Sequence, residues 1–237
     1  MIKNKRMNIG SIIIWVIVFL VIVPLINKGF GQLKAQSNPD TPVGFGYKIM
    51  WIAVKTDSQE LVAQTIGLKK TKPSNWKNGI DKAYKDAIFI TPVIDNWTLI
   101  VGMGLPTGDS KESIDQVSDL LNRLSKQFGE AQFFCTHRVV EYHCWIKSTN
   151  GKIDRIYSYL GERGENIVIK GQPTEIEKKY NLIDTFSEEA KKDNYFDRED
   201  LVFPDEQLVM TIAGNWSIDP TLLDKRTDIK GLGLISK

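Results

Sequence analysis

The chain has 237 residues, 42% hydrophobic and 25% charged, with a formal net charge of +2. That composition excludes a disordered or low-complexity chain and leaves room for one ordinary domain plus a short extra segment. Lys3, Lys5, Arg6, Lys28 and Lys34 are the only charges in residues 1–37, which leaves 26 basic against 29 acidic residues in 38–237. The body is therefore mildly acidic and lacks the basic footprint of a nucleic-acid binder.

The stretch "IGSIIIWVIVFLVIVPLI" (9–26) is 18 residues long and carries no charge. As a helix it would span about 27 Å, close to the roughly 30 Å core of a bilayer. It has no polar face, so it does not read as a core helix. Against a cleaved signal peptide, the apolar run is long, and Lys34 stands where a small-residue cleavage motif would lie. The expectation is an uncleaved single-pass anchor in the cell membrane. Lys3, Lys5, Arg6 and the α-amino group outweigh Lys28 and Lys34, which keeps the N-terminus in the cytoplasm and the body extracytoplasmic. Residues 1–26 then form a cytoplasmic tip and transmembrane helix. Residues 27–46, rich in Gly, Pro, Asn and Ser, form a linker, and 47–237 form a single domain.

In the body, "YKIMWIAVKT" (47–56) predicts a strand. Asp57 and Glu60 make a capping-box pattern that opens a helix closed by Gly67. A short helix is expected around 77–85. "AIFITPVI" and "WTLIVGM" read as strands joined at Asp95-Asn96, with Pro92 implying an edge or a bulge. Ile114, Val117, Leu121, Leu124 and Phe128 recur at helical spacing up to Gly129. Strands follow at "AQFFCT", "VVEYHCWIK" and "KIDRIYSYL". The last two are joined by Asn150-Gly151 in a register that sets Lys147 opposite Asp154. The order over 47–136 is that of a ferredoxin-like split βαβ unit within an α+β fold, extended by a β-hairpin. Beyond Gly171 the C-terminal part reads as mainly helical or irregular. Its clearest element is a helix at "PDEQLVMTIAG", with Pro204 at its first position.

Candidate chemistry gathers in "THRVVEYHCW" (136–145), which holds both histidines, Cys144 and Glu141. Read as one continuous strand, it puts His137, Val139, Glu141 and His143 on one face and Arg138, Val140, Tyr142 and Cys144 on the other. The two histidines would then stand about 20 Å apart, with no chelating reach. Glu141 and His143 would be neighbours with no third ligand, so no metal is expected. Cys135 and Cys144 would be too far apart to bridge, because Val139-Val140 is poor in a tight turn; two free thiols follow.

The candidate catalytic residues are Glu141, His143, Glu162 and Glu165, the last two from "YLGERGE" (159–165), because paired carboxylates can hydrolyse a glycosidic bond when correctly spaced. "VGMGLPTGDS" (101–110) lacks the third glycine of a dinucleotide loop and has no Gly-Lys-Ser/Thr, so no cofactor and no nucleotide are expected. The acidic residues Asp193, Asp197, Glu199, Asp200, Asp205 and Glu206 read as solvated and helix-capping charges, without calcium-loop spacing.

The blocks "WIAVKT", "THRVVEYHCW", "YLGERGE", "REDLVFPDE" and "MTIAGNWSIDPTLLD" resemble an uncharacterised bacterial protein family of single α+β domains with no known activity. The resemblance implies a bacterial source and one domain, and no site residues. The expected function is a membrane-tethered extracytoplasmic binding or accessory domain with a protein partner, immunity-like roles included. An envelope-polymer hydrolase using the carboxylates near 141–165 and a sugar- or wall-binding module using exposed aromatics stay open as alternatives.

Overall fold

The structure, a computed structural model, describes residues 18–22 and 38–236. Val18–Ile22 form a π-helical turn. The rest of the expected anchor and linker residues 27–37 lie outside the described residues. Among the described residues no helix is long and apolar enough to cross a membrane.

Residues 39 onward form one unit of α+β architecture. Among the described residues nine strands make a single antiparallel sheet. They are β1 (Met50–Val54), β2 (Lys72–Ser74), β3 (Ile88–Ile90), β4 (Thr98–Val101), β5 (Glu130–His137), β6 (Tyr142–Thr149), β7 (Lys152–Leu160), β8 (Glu165–Lys170) and β9 (Gly233–Ser236), in the order β2-β9-β3-β4-β1-β5-β6-β7-β8. The α-helices among the described residues are α1 (Gln59–Thr65), α2 (Trp76–Ala83), α3 (Lys111–Phe128) and α4 (Glu206–Trp216).

Both faces of the sheet are covered, so its central strands are buried along their whole length rather than alternating. All five residues of β1 are buried. Val62 of α1 and Ile114, Val117, Leu121 and Leu124 of α3 pack with Ile52, Ile100 and Phe133 on one face. Trp76 of α2 and Val209, Met210 and Ile212 of α4 pack with Trp51, Phe134, Trp145 and Tyr157 on the other. There Trp51 stacks on Phe134 at 5.3 Å and Trp145 on Tyr157 at 4.5 Å. Each such fully buried side chain contributes about 2–3 kcal/mol of transfer free energy.

Local signals place most of these elements. Ser110 accepts from the Ser113 N–H and caps α3, and Gly129 stops that helix at φ 88°. Ser58, rather than Asp57, caps α1 by accepting from Leu61. Asp205 caps α4, so Pro204 precedes that helix instead of opening it. Asp95 and Asn96 both take positive φ (50° and 68°), as do Asn150 and Gly151 (50° and 83°), which is the two-residue turn that twists with its strands. Gly102 ends β4 where a Cβ would overlap the Ala87 carbonyl oxygen, so the glycine run at 101–110 serves a close backbone crossing.

Several expectations are corrected. Residues 136–145 are not one strand: 138–141 form a turn between β5 and β6 that starts with the Val140 N–H donating to His137 O. A four-residue loop tolerates Val139-Val140, whereas a two-residue turn would not. Lys147 does not face Asp154. A bulge between Lys147 and Ser148 shifts it opposite Arg155, and Lys147 instead pairs with Glu130 at 2.7 Å.

The end of the expected linker is part of the packed body. Phe45 is buried edge-on against Trp51, and the Asp40 carboxylate accepts from the Trp76 and Lys77 N–H groups at the start of α2. Finally, the C-terminal part, expected to be mainly helical or irregular, also supplies a strand, because β9 inserts between β2 and β3.

Candidate functional site

The turn at 138–141 stands between two concavities. Register fixes what faces each. Thr136 lies opposite His143 and His137 opposite Tyr142, so the two histidines lie on opposite faces of the sheet. This overturns the single-face placement expected for a continuous strand.

The first concavity, of about 560 Å³, is lined by Arg138, Glu141 and His143 from the hairpin, Tyr47 from the entry to β1, and Phe203–Gln207 at the start of α4. Its floor is polar and incompletely bonded. His143 is only 3% exposed, and its Nδ1 has no hydrogen-bond partner. Burial pushes its pKa down to about 4, with Asp205 opposing the shift, so the imidazole is neutral near pH 7. Glu206 has a side chain 18% exposed. Its Oε2 lies 4.0 Å from the Arg138 guanidinium, and its buried Oε1 accepts nothing. Asp205 is committed to the Leu208 N–H at 2.7 Å. Glu141 sits at φ 51°, an uncommon conformation for a residue with a long side chain. Tyr47 and Phe203 are exposed at the mouth, Phe203 edge-on to the buried Tyr159, and Val139 protrudes from the turn at 72% exposure.

The second concavity, of about 440 Å³, lies on the other face. Met50, Cys135, Val140, Tyr142 and Leu160 give it an apolar floor, and Lys48, Asp109, Glu162 and Arg163 border it. Tyr142 donates to the Gly108 carbonyl, which ties the loop before α3 to the hairpin.

The candidate residues therefore do not converge. Glu141 and His143 share the first concavity, Glu162 belongs to the second, and Glu165 stands at the start of β8 beside Arg163 at 3.7 Å. Sequence reasoning reached Glu141 and His143 but missed Tyr47, Arg138 and Phe203 as their companions, and read Asp205 and Glu206 as solvated and helix-capping charges. Asp205 is the N-cap of α4 and Glu206 stands in its first turn. The proline-acid pair "FPDE" marks the helix start that brings Phe203 and Glu206 to the histidine, a signal visible only once the hairpin turn is placed.

Thiol nucleophilicity is not open to these residues. Cys135 and Cys144 are buried and free, and burial raises both thiols, Cys144 to about 12, which leaves no thiolate to attack. Among the described residues no three His, Cys, Asp or Glu side chains are placed to hold a metal ion. Comparison with protein-family models, with curated proteins and with solved structures finds no significant match.

Proposed function

We propose that this chain is a membrane-tethered domain that binds a protein partner outside the cell membrane through the concavity between the β5–β6 turn and α4. One observation carries the reading: exposed aromatic side chains line the same concavity as residues whose buried polar atoms have no partner among the described residues. Tyr47 and Phe203 supply the aromatic rings, and His143 Nδ1 and Glu206 Oε1 supply the unmet hydrogen-bonding capacity. Interfaces combine these two features, an aromatic anchor and polar groups that are completed only on binding. The tether rests on the charge-free run 9–26 and its basic flank. The ferredoxin-like unit rests on the β3-β4-β1-β5 order, with α1 and α3 on one face.

The hydrolase alternative as set on Glu141, Glu162 and Glu165 needs two of these three carboxylates in one cleft; Glu141 lines the first concavity, Glu162 lines the second, and Glu165 lines neither. The sugar-binding alternative needs exposed indole faces. Trp51, Trp76 and Trp145 are fully buried, Trp97 is 9% exposed, and Lys147 covers Trp216.

The test is affinity capture by the full-length chain in detergent from its own cells, wild type beside Tyr47→Ala/Phe203→Ala. Capture of a defined protein by the wild type, reduced at least about tenfold in an equally stable double variant, supports the reading. Equal capture by both removes this concavity as the interface.

A further inference from the structure

The net charge and geometry of the same concavity allow its occupant to be specified. We infer that it takes a cationic side chain, a lysine or arginine, from the partner protein; the inference rests on the binding reading above. Three carboxylates line it, those of Glu141, Asp205 and Glu206, against one guanidinium, that of Arg138. His143 adds no positive charge near neutral pH, because burial keeps its imidazole unprotonated. The α4 N-terminus contributes about half a positive charge, which the bonded Asp205 carboxylate offsets. An acidic ligand is therefore repelled.

The unpaired atoms point the same way. Glu206 Oε1 is an acceptor, and His143 Nδ1 is one in the tautomer that carries its proton on Nε2; both are buried and neither receives a hydrogen bond. An ammonium or guanidinium brings several donors and no acceptor, which complements such a floor. Arg138 does not fill this role itself. Its side chain is 61% exposed, and its Nη1 reaches only to 4.0 Å from Glu206 Oε2, at the limit of an ion pair. The exposed aromatic rings of Tyr47 and Phe203 line the same concavity, and such rings attract an aliphatic stem or a cation.

The experiment is saturation-transfer NMR on the full-length chain in detergent, with three probes: N-acetyl-argininamide, N-acetyl-lysinamide and the neutral isostere N-acetyl-citrullinamide. The inference expects saturable binding of at least one basic probe, weakened severalfold between low and high salt, and no saturable binding of the citrulline probe. Glu206→Gln should weaken the basic probe at least about tenfold, the loss of one charge-assisted hydrogen bond. Two results overturn the inference: no saturable binding of either basic probe, or citrulline bound as well as arginine. Neither touches the aromatic-substitution test, so a partner captured through Tyr47 and Phe203 would stand while its cation fell.

Discussion

Two buried polar clusters lie on the same face of the sheet, and they differ in one respect. Around Glu177, which is 1% exposed, everything is satisfied. Its Oε1 accepts from Arg155 Nε and Nη2 at 2.8 Å and from Trp145 Nε1 at 2.9 Å, and its Oε2 accepts from the N–H and hydroxyl of Thr174. The remaining Arg155 donor, Nη1, reaches Gly171 O. Around His143 the account does not close: Nδ1 and Glu206 Oε1 are buried without partners. A satisfied network of this kind fixes the C-terminal segment onto β6 and β7. An unsatisfied one costs stability and has to be explained by what completes it.

The comparison breaks first at Glu177. Glu177→Gln leaves the Arg155 charge buried without its counter-ion, and unfolding by urea should show a loss of about 3–5 kcal/mol. A loss under 1 kcal/mol would mean the two clusters are not different in kind.

The pH dependence sharpens the other side. The folded pKa of His143, about 4, lies below the ordinary 6.5, so as pH falls the unfolded chain takes up this proton first. Stability should therefore drop between about pH 6.5 and pH 4, by up to about 3 kcal/mol, and be fully retained above 6.5. Carboxylates titrate in the lower part of that window, so the readout is the difference between wild type and His143→Gln. The variant should lack this part of the acid loss, and parallel curves would contradict the assignment.

The thiols give a smaller effect. Thr136 N–H bonds Ile49 O across β1, and Asn150 N–H bonds Gly129 O at the far end of the hairpin. Residues alternate along the strand, so Cys135 points its backbone groups at β6, and Cys135–Cys144 is a hydrogen-bonded pair. Such pairs hold Cβ atoms near the wide end of about 4.5–5.5 Å, whereas a disulfide needs about 3.5–4.5 Å. Two thiols per chain should titrate in unreduced, denatured protein. In the native state their reaction should slow by at least about a hundredfold. A count near zero would show that the strands draw closer.

The free thiols expected from sequence thus coincide with those of the structure, but for a different reason. The sequence argument kept the cysteines apart along a strand, and the structure sets them opposite each other. What was legible was local: the spacing that makes α3, and the Asp95-Asn96 and Asn150-Gly151 turns, where residue type alone licenses a positive φ. The 138–141 turn was not legible, because Val139 and Val140 are strand formers and its positive-φ position is held by a glutamate. Strands β2 and β9 were hidden for another reason. They are three and four residues long, they include Pro73 and Gly233, and they pair residues as distant as Lys72 and Ile235. Half of the candidate site follows from that missed turn. Glu141 and His143 were named, but for alternation along a strand that does not exist, and of their companions Arg138 is local while Tyr47 and Phe203 come from chain positions about 60 to 95 residues away.

The most direct measurement joins stability and binding in one variant, Glu206→Gln, made in the full-length chain. If the concavity is a recognition site, removing a charge whose Oε1 has no partner and whose Oε2 meets Arg138 only at 4.0 Å should leave unfolding free energy within about 1 kcal/mol of wild type, or slightly above it, while retention of the captured partner falls at least about tenfold. A stability loss approaching that of Glu177→Gln, with partner retention unchanged, would show that Glu206 belongs to the fabric of the fold and that the two clusters do the same job.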